Sequence, residues 1–324
     1  MTKSEETRPL MVTIQCLTYN HESYIRQCLD GFVMQKTNFN FEAIVHDDAS
    51  TDGTALIIKE YAEKYPDIIK PIYETENQYS KKDGSLNRIM MEHTLGKYVA
   101  ICEGDDYWID SEKLQKQVDY MEKHPECGLI YTDLNFYNQG EKRMIYSVFD
   151  KGEIPIAHNY IEMLKYRRYI APCTWLIKPM SGLELTNQCT DFTFYLALQA
   201  FAKYEVHYIP IVTAVYRQLE ESASHSTSLE KYYLYNKGVF ETQKKFIKFY
   251  PDKISEDDAK YILRSGVSRL FKYGLLYDDK QFVSSSLGVL VQNRMGKDLI
   301  LYYLPRIIVK KILKFHYTRK GFCV

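Results

Sequence analysis

The sequence predicts an α/β domain on a mostly parallel central sheet, followed by an α-helical C-terminal appendage. Three observations predict it. From residue 11 short β-rich runs alternate with helix-like ones. Three of those strands run out into Thr/Asn or acidic clusters, and from about residue 228 the pattern is helical. A chain of 324 residues that is 45% hydrophobic is long enough to bury a sizeable core, which excludes disorder as its main state.

The elements follow in order. MVTIQCL (11–17) is an unbroken apolar run of strand length, and 22–35 carries helical spacing. FEAIVHDD (41–48) is a second strand, 53–65 a second helix capped by Asp52 or Ser50, and IIKPIYE (68–74) is strand-like. Ser85 to Leu95 forms a helix, KYVAICEGDD (97–106) a strand ending in acid, 111–123 a helix and CGLIYTDLNFY (127–137) a strand. After about residue 138 the alternation loosens into polar β-like stretches near 142–149 and 169–178, a helix at 192–203 and a strand at 206–216. His46 lies along a buried strand and reads as a satisfied core residue.

Forty-two Lys and Arg balance 42 Asp and Glu, so no whole-chain field holds nucleic acid. The 29 Tyr against 2 Trp suit half-polar walls for rings as well as ordinary packing. Cysteines at 16, 28, 102, 127, 173, 189 and 323 show no zinc-ligand spacing and read as reduced thiols of a cytoplasmic protein. No apolar leader opens the chain, and LILYYL from Leu299 is stopped by Pro305, short of a transmembrane span. The stretch from Arg306 to Lys320 interleaves six basic residues with Ile, Val, Leu and Phe, a basic amphipathic pattern that fits an anionic membrane surface or packing on the appendage.

In an open parallel sheet, ligands bind outside the carboxyl ends of the strands. The first strand ends in Thr18, Tyr19 and Asn20, the second in Asp47 and Asp48, the fourth in Glu103, Gly104, Asp105 and Asp106. Three carboxylates within four residues repel one another unless solvated or bound to a cation. Hard oxygen donors suit Mg2+ or Mn2+; an acidic turn before a helix cap at Asp110 or Ser111 is the plainer alternative.

The blocks VTIQCLTYNHESYIRQCLDGFVMQ, FEAIVHDDASTDGT and GKYVAICEGDDYWIDSEKLQKQ resemble, in order and separation, those of the family-2 inverting glycosyltransferases, which share the GT-A fold. The resemblance implies a nucleotide-diphosphate sugar donor, most often a UDP-sugar. It places Thr18 and Tyr19 against the base, Asp48 as a hydrogen-bond acceptor from it, and Asn87 or Arg88 near the nucleotide. Glu103 and Asp105 take the family's D-x-D position, with Asp105 as metal ligand, Glu103 toward the ribose and Asp106 toward the donor sugar. Glu103 departs from the more common Asp. A looser match over about 170–226 puts Asp191 at the catalytic base; by itself, Asp191 reads as the N-cap of an apolar helix. Arg217 and His225, in and after a strand ending Tyr-Arg, are candidates for the diphosphate and the metal.

The expected organisation is a glycosyltransferase domain over 10–227, with a donor half at 10–135 and an acceptor half at 136–227, and a helical region over 228–324. The expected activity is metal-dependent transfer to a saccharide or lipid-linked acceptor in surface polysaccharide or glycolipid synthesis, with 305–324 as the candidate for contact with the cytoplasmic membrane face. Two rivals stand beside it. A sugar nucleotidyltransferase should carry a Gly-rich phosphate loop, and LTYNHE has no glycine. A non-catalytic nucleotide-sugar-binding protein is suggested by Glu103.

Overall fold

Strand β1 (Leu10–Thr18) buries Val12, Thr13, Ile14 and Cys16 completely, as an interior strand covered on both faces does. In the computed structural model, which describes residues 8–167, 170–180, 191–219 and 228–318, β1 pairs in parallel with β2 (Asn40–Asp47) on one side and β4 (Tyr98–Ile101) on the other; β3 (Ile69–Tyr73) extends the parallel set beyond β2. The order across the sheet is β3-β2-β1-β4-β8-β6-β9-β5, with β7 (Arg143–Ile145) on β6. The two-residue β8 (Leu176–Ile177) lies antiparallel between β4 and β6 (Cys127–Asn138). β9 (Glu205–Gln218) runs parallel to β6, and β5 (Tyr107–Trp108) antiparallel to β9.

The helices of this half follow from their apolar spacing. In α1 (Ile25–Val33), Ile25, Cys28, Leu29 and Phe32 recur at i, i+3, i+4 and i+7 and are buried. Helix α2 (Thr54–Lys64) starts where Asp52 Oδ1 accepts from the Thr54 N–H at 3.0 Å, while Ser50 bonds instead to the Asn20 N–H. After α3 (Gln78–Lys81) and α4 (Ser85–Glu92), α5 (Lys113–Lys123) buries Leu114, Gln117, Val118 and Met121. Asp110, not Ser111, accepts at its start, from the Glu112 N–H.

The chain forms two compact units, which among the described residues comprise 8–159, 170–180 and 199–218, and 160–167, 191–198, 219 and 228–318. The second is helical: α6 (Tyr160–Tyr166), the first part of α7 (Phe192–Lys203), α8 (Leu229–Phe249), α9 (Glu256–Leu276), α10 (Lys280–Gln292), α11 (Gly296–Tyr303) and α12 (Arg306–Thr318). Ser255 and Asp279 cap α9 and α10 with side-chain oxygens, each worth about 1 kcal/mol. Tyr233, Phe240, Leu270, Phe271, Phe282 and Leu290 form its core. Gly266 is required there, since a Cβ would meet the Phe240 ring at 2.0 Å.

Three short elements, α3, β5 and α6, are not legible as periodic runs. The β-like readings at 142–149 and 169–178 shrink to Arg143–Ile145 and Leu176–Ile177. Pro172 opens a 3-10 turn over Pro172–Thr174, since it has no N–H to give a ladder. Helix α12 carries two apolar stripes. Val309, Leu313 and Tyr317 are buried in the helical core; Ile307, Ile308, Ile312 and Phe315 face solvent with Arg306, Lys311 and Lys314. Among the described residues no helix is long and apolar enough to cross a membrane. The five described cysteines, Cys16, Cys28, Cys102, Cys127 and Cys173, are buried and unpaired. His46 is fully buried with Nε2 3.3 Å from Glu74 Oε1, but its Nδ1 has no partner, so the core satisfies only half of that ring.

Candidate active site

The carboxyl ends of β1, β2 and β4 are sewn together by backbone. The Asp48 N–H donates to Thr18 O at 3.0 Å, and the Gly104 N–H to Leu17 O at 2.9 Å. Asn20 and Ala49 take φ of 54° and 61°, left-handed turns that end both strands sharply; Asn tolerates this conformation and Ala is strained in it. Asn20 Oδ1 accepts from the Thr51 N–H, locking one loop to the other. Thr18, Asp47 and Glu103–Asp106 are thereby fixed on one sheet edge.

Gly104 sits against Thr18 and His21: a Cβ would lie 2.7 Å from Thr18 Oγ1 and 2.9 Å from His21 Nδ1. Those two atoms and Asp47 Oδ1 are buried without a hydrogen-bond partner, an arrangement that costs free energy unless a ligand or water meets it. Burial lowers the His21 imidazole pKa, against the opposing pull of the Asp105 and Asp52 carboxylates. Asp105 is half-buried and Glu103 exposed. Asp106 is buried; desolvation first, and the Asp105 charge next, push its carboxyl well above the usual aspartate range. Two hard carboxylates beside unpartnered polar atoms fit a divalent cation with oxygen ligands. Asp105 would hold it, with Glu103 within the same four-residue turn.

Arg217, at the end of β9, is 7% exposed. Its Nε donates to Asp105 O, Nη1 to Gln139 Oε1 and Nη2 to Gln27 Oε1, each at 2.8 Å. The guanidinium lies 4.8 Å from the Tyr24 ring centroid, 5.2 Å from Tyr107 and 5.6 Å from Tyr137, a cationic contact favoured by desolvation. Its described partners are thus protein groups that brace the acidic turn. Both Asp48 oxygens accept from backbone, the Gln78 N–H at 2.6 Å and the Tyr79 N–H at 3.0 Å, so Asp48 anchors α3. Tyr19 is half-exposed at the strand end, Asn87 is partly buried, and the Arg88 Nη1 donates to Asp83 O.

Asp191 belongs to the second unit. Its Oδ1 accepts from the Phe194 N–H and the Thr193 hydroxyl, each at 2.8 Å, and its Oδ2 from the Tyr235 hydroxyl at 2.5 Å. Capping one end of α7 and meeting a phenol are thus divided between its two oxygens. His225 lies outside the described residues. Sequence reasoning missed Tyr235, whose helix offered no polar motif, and missed Gln27 and Gln139, which only the fold brings to Arg217. His21, in the LTYNHE turn, carried a signal in its place immediately after the first strand.

A mostly parallel sheet with acids gathered on its carboxyl edge fits the GT-A fold of nucleotide-sugar enzymes. The chain belongs to glycosyl transferase family 2, whose pattern residues 14–177 match. It is similar to the uncharacterized protein Rv1520 of Mycobacterium tuberculosis, 33% identical over 231 residues, covering 68% of this chain and 62% of that protein. It is also similar to the Escherichia coli UDP-Glc:alpha-D-GlcNAc-diphosphoundecaprenol beta-1,3-glucosyltransferase WfaP, 30% identical over 174 residues, covering 54% of this chain and 62% of that one. The chain thus spans less than two thirds of the length of these relatives. The crystal structure of S. aureus TarS 1-349 in complex with UDP-GlcNAc shares the fold at a TM-score of 0.52, with 15% identity over 89% of this chain and 92% of that one.

Proposed function

We propose that the chain is a metal-dependent hexosyltransferase that moves a sugar from a UDP-sugar to an acceptor hydroxyl with inversion, in surface polysaccharide or glycolipid synthesis. The observation that carries this reading is the cradle of Thr18, His21 and Gly104 beside Asp105, where Thr18 Oγ1 and His21 Nδ1 are buried without a hydrogen-bond partner. The UDP-GlcNAc complex of the TarS neighbour and the UDP-Glc donor in the WfaP name support the nucleotide. A divalent cation bound there supplies positive charge to a departing diphosphate.

The chain's own residues divide the rest of the work. Tyr19 offers a half-exposed ring to the base, and Asp48, held by two backbone N–H groups, fixes the loop beneath it. Arg217 keeps the Asp105–Asp106 turn in place. Asp191 takes the acceptor proton: Oδ1 is committed to the helix cap, which orients Oδ2, and the Tyr235 hydroxyl marks where that oxygen accepts. An acceptor carried on a lipid agrees with the outward face of α12, where Ile307, Ile308, Ile312 and Phe315 lie among Arg306, Lys311 and Lys314; basic residues gain about 1 kcal/mol each near an anionic leaflet.

A screen of nucleotide-sugars for thermal stabilisation with and without Mn2+ or Mg2+ tests the reading, since a ligand of the folded state alone raises its stability. A metal-dependent rise with UDP-sugars is expected. Equal response to every nucleotide, or none, overturns it.

A further inference from the structure

The edge of the sheet opposite the acidic turn carries a second set of metal-ligand chemistry. β6 and β9 run parallel and begin at Cys127 and Glu205, so residues at their starts lie away from the strand ends that hold Asp105. There, Glu126, Glu205 and His207 each bring one ligand atom to within 4.8 Å of the others. Glu205 and His207 are two apart on β9 and therefore share a face. The Glu205 N–H donates to Glu126 O at 3.2 Å, tying the two strand starts together. His124, which ends α5, joins them: its Nδ1 is 3.0 Å from Glu126 Oε1, and its ring centroid lies 5.8 Å from that of His207.

Tyr120 organises both imidazoles. Its ring stacks on His124 at 4.2 Å, and its hydroxyl lies 2.9 Å from His207 Nδ1. A ligating histidine needs its second ring nitrogen held by a partner, which fixes the tautomer and aims the other nitrogen. Here Tyr120 holds Nδ1 and leaves Nε2 toward the carboxylates, 2.9 Å from Glu205 Oε2.

We propose that Glu126, Glu205 and His207 form a binding site for one transition-metal ion of the Zn2+ type, with His124 holding Glu126 from outside. Two carboxylates balance its charge, and the imidazole favours it over Mg2+ or Mn2+, which prefer all-oxygen shells. Binding replaces the His207–Glu205 pair by ligand bonds, and a proton leaves His207 if it is an imidazolium. The ion would clip the starts of β6 and β9 together. The proposal is independent of the sugar-transfer reading.

The test is Zn2+ titration of the untagged full chain by calorimetry in excess Mg2+, with Co2+ absorption as a probe of coordination. One ion per chain is expected at this site. His207→Ala should weaken it by about tenfold or more, and Tyr120→Phe by roughly tenfold, the scale of losing an outer partner. Asp105→Asn should leave it intact. Glu126→Gln, at an exposed position, repeats the test should His207→Ala fail to fold. Unchanged Zn2+ affinity in both His207→Ala and Glu126→Gln, or no saturable binding in the wild type, shows that the cluster is only a pair of surface ion pairs.

Discussion

The backbone N–H of Arg217 donates to Asp106 Oδ1 at 2.8 Å while the same residue's Nε donates to the carbonyl of Asp105 at 2.8 Å. One residue at the end of β9 therefore grips two successive residues of the acidic turn. Arg217→Lys keeps the charge but loses the planar fork that reaches Gln27, Gln139 and the Asp105 carbonyl together. Turnover should fall by about 10–100-fold, as a displacement near 1 Å does, with a lowered melting temperature. Steady-state kinetics and a thermal melt check both.

Asp105→Asn should abolish the metal-dependent part of UDP binding and with it transfer. Asp105 is half-buried rather than a core residue, so the fold should survive. Calorimetry of UDP with and without Mn2+ reads the difference, and an unchanged metal effect removes Asp105 from the metal site.

Asp191→Asn retains an oxygen for the Phe194 N–H and so keeps the cap, but loses basicity. Turnover should drop by roughly 10²–10⁴-fold with donor affinity kept. Near wild-type turnover would leave Asp191 as a helix cap alone.

Lys113 is fully buried, donating to Gln117 Oε1 at 2.7 Å with its ammonium 4.4 Å from the Trp108 ring centroid, and burial pulls its pKa down to about 7. A lysine depressed in the fold binds fewer protons there than in the unfolded chain between about pH 7 and its ordinary value of about 10.4, so stability rises with pH across that window. From pH 6 to 9 the wild type should gain about 2–3 kcal/mol relative to Lys113→Met. Urea unfolding of both proteins at the two pH values measures it.

Deleting 305–324 would strip Val309, Leu313 and Tyr317 from the helical core, so truncation confounds a membrane test with unfolding. Ile307→Glu with Phe315→Glu alters only exposed positions, 68% and 67% accessible. Co-sedimentation with anionic liposomes should fall sharply in the double variant at unchanged melting temperature. Equal sedimentation of both proteins would assign this face another role.

The long elements were legible because their signals are local. The apolar runs of β1 and β2 and the helix at 192–203 needed no tertiary context. The sequence marks Arg217 as an anion-binding candidate; its partners Gln27 and Gln139 stand far away in the chain, so its hold on the acidic turn shows only in the fold. Lys113 carries a charge that suits the solvent side of its helix, and only the fold brings the Trp108 ring and the Trp175 carbonyl to it. Asp191 is legible as the cap of α7, yet only the fold supplies Tyr235. The two-residue strands carry too few residues for any period to show.

The placement of β8 bears on how the molecule assembles. Leu176 and Ile177 pair with Ala100 and Val99 on one side and with Ile130 and Leu129 on the other, so a strand made about 40 residues after β6 separates two made before it. Until about residue 177 has emerged, the inner flanks of β4 and β6 stay open, and contacts so distant in sequence close slowly. A fragment ending near residue 135 would carry the acidic turn on a sheet with a raw apolar flank, and its fate is self-association rather than a working half.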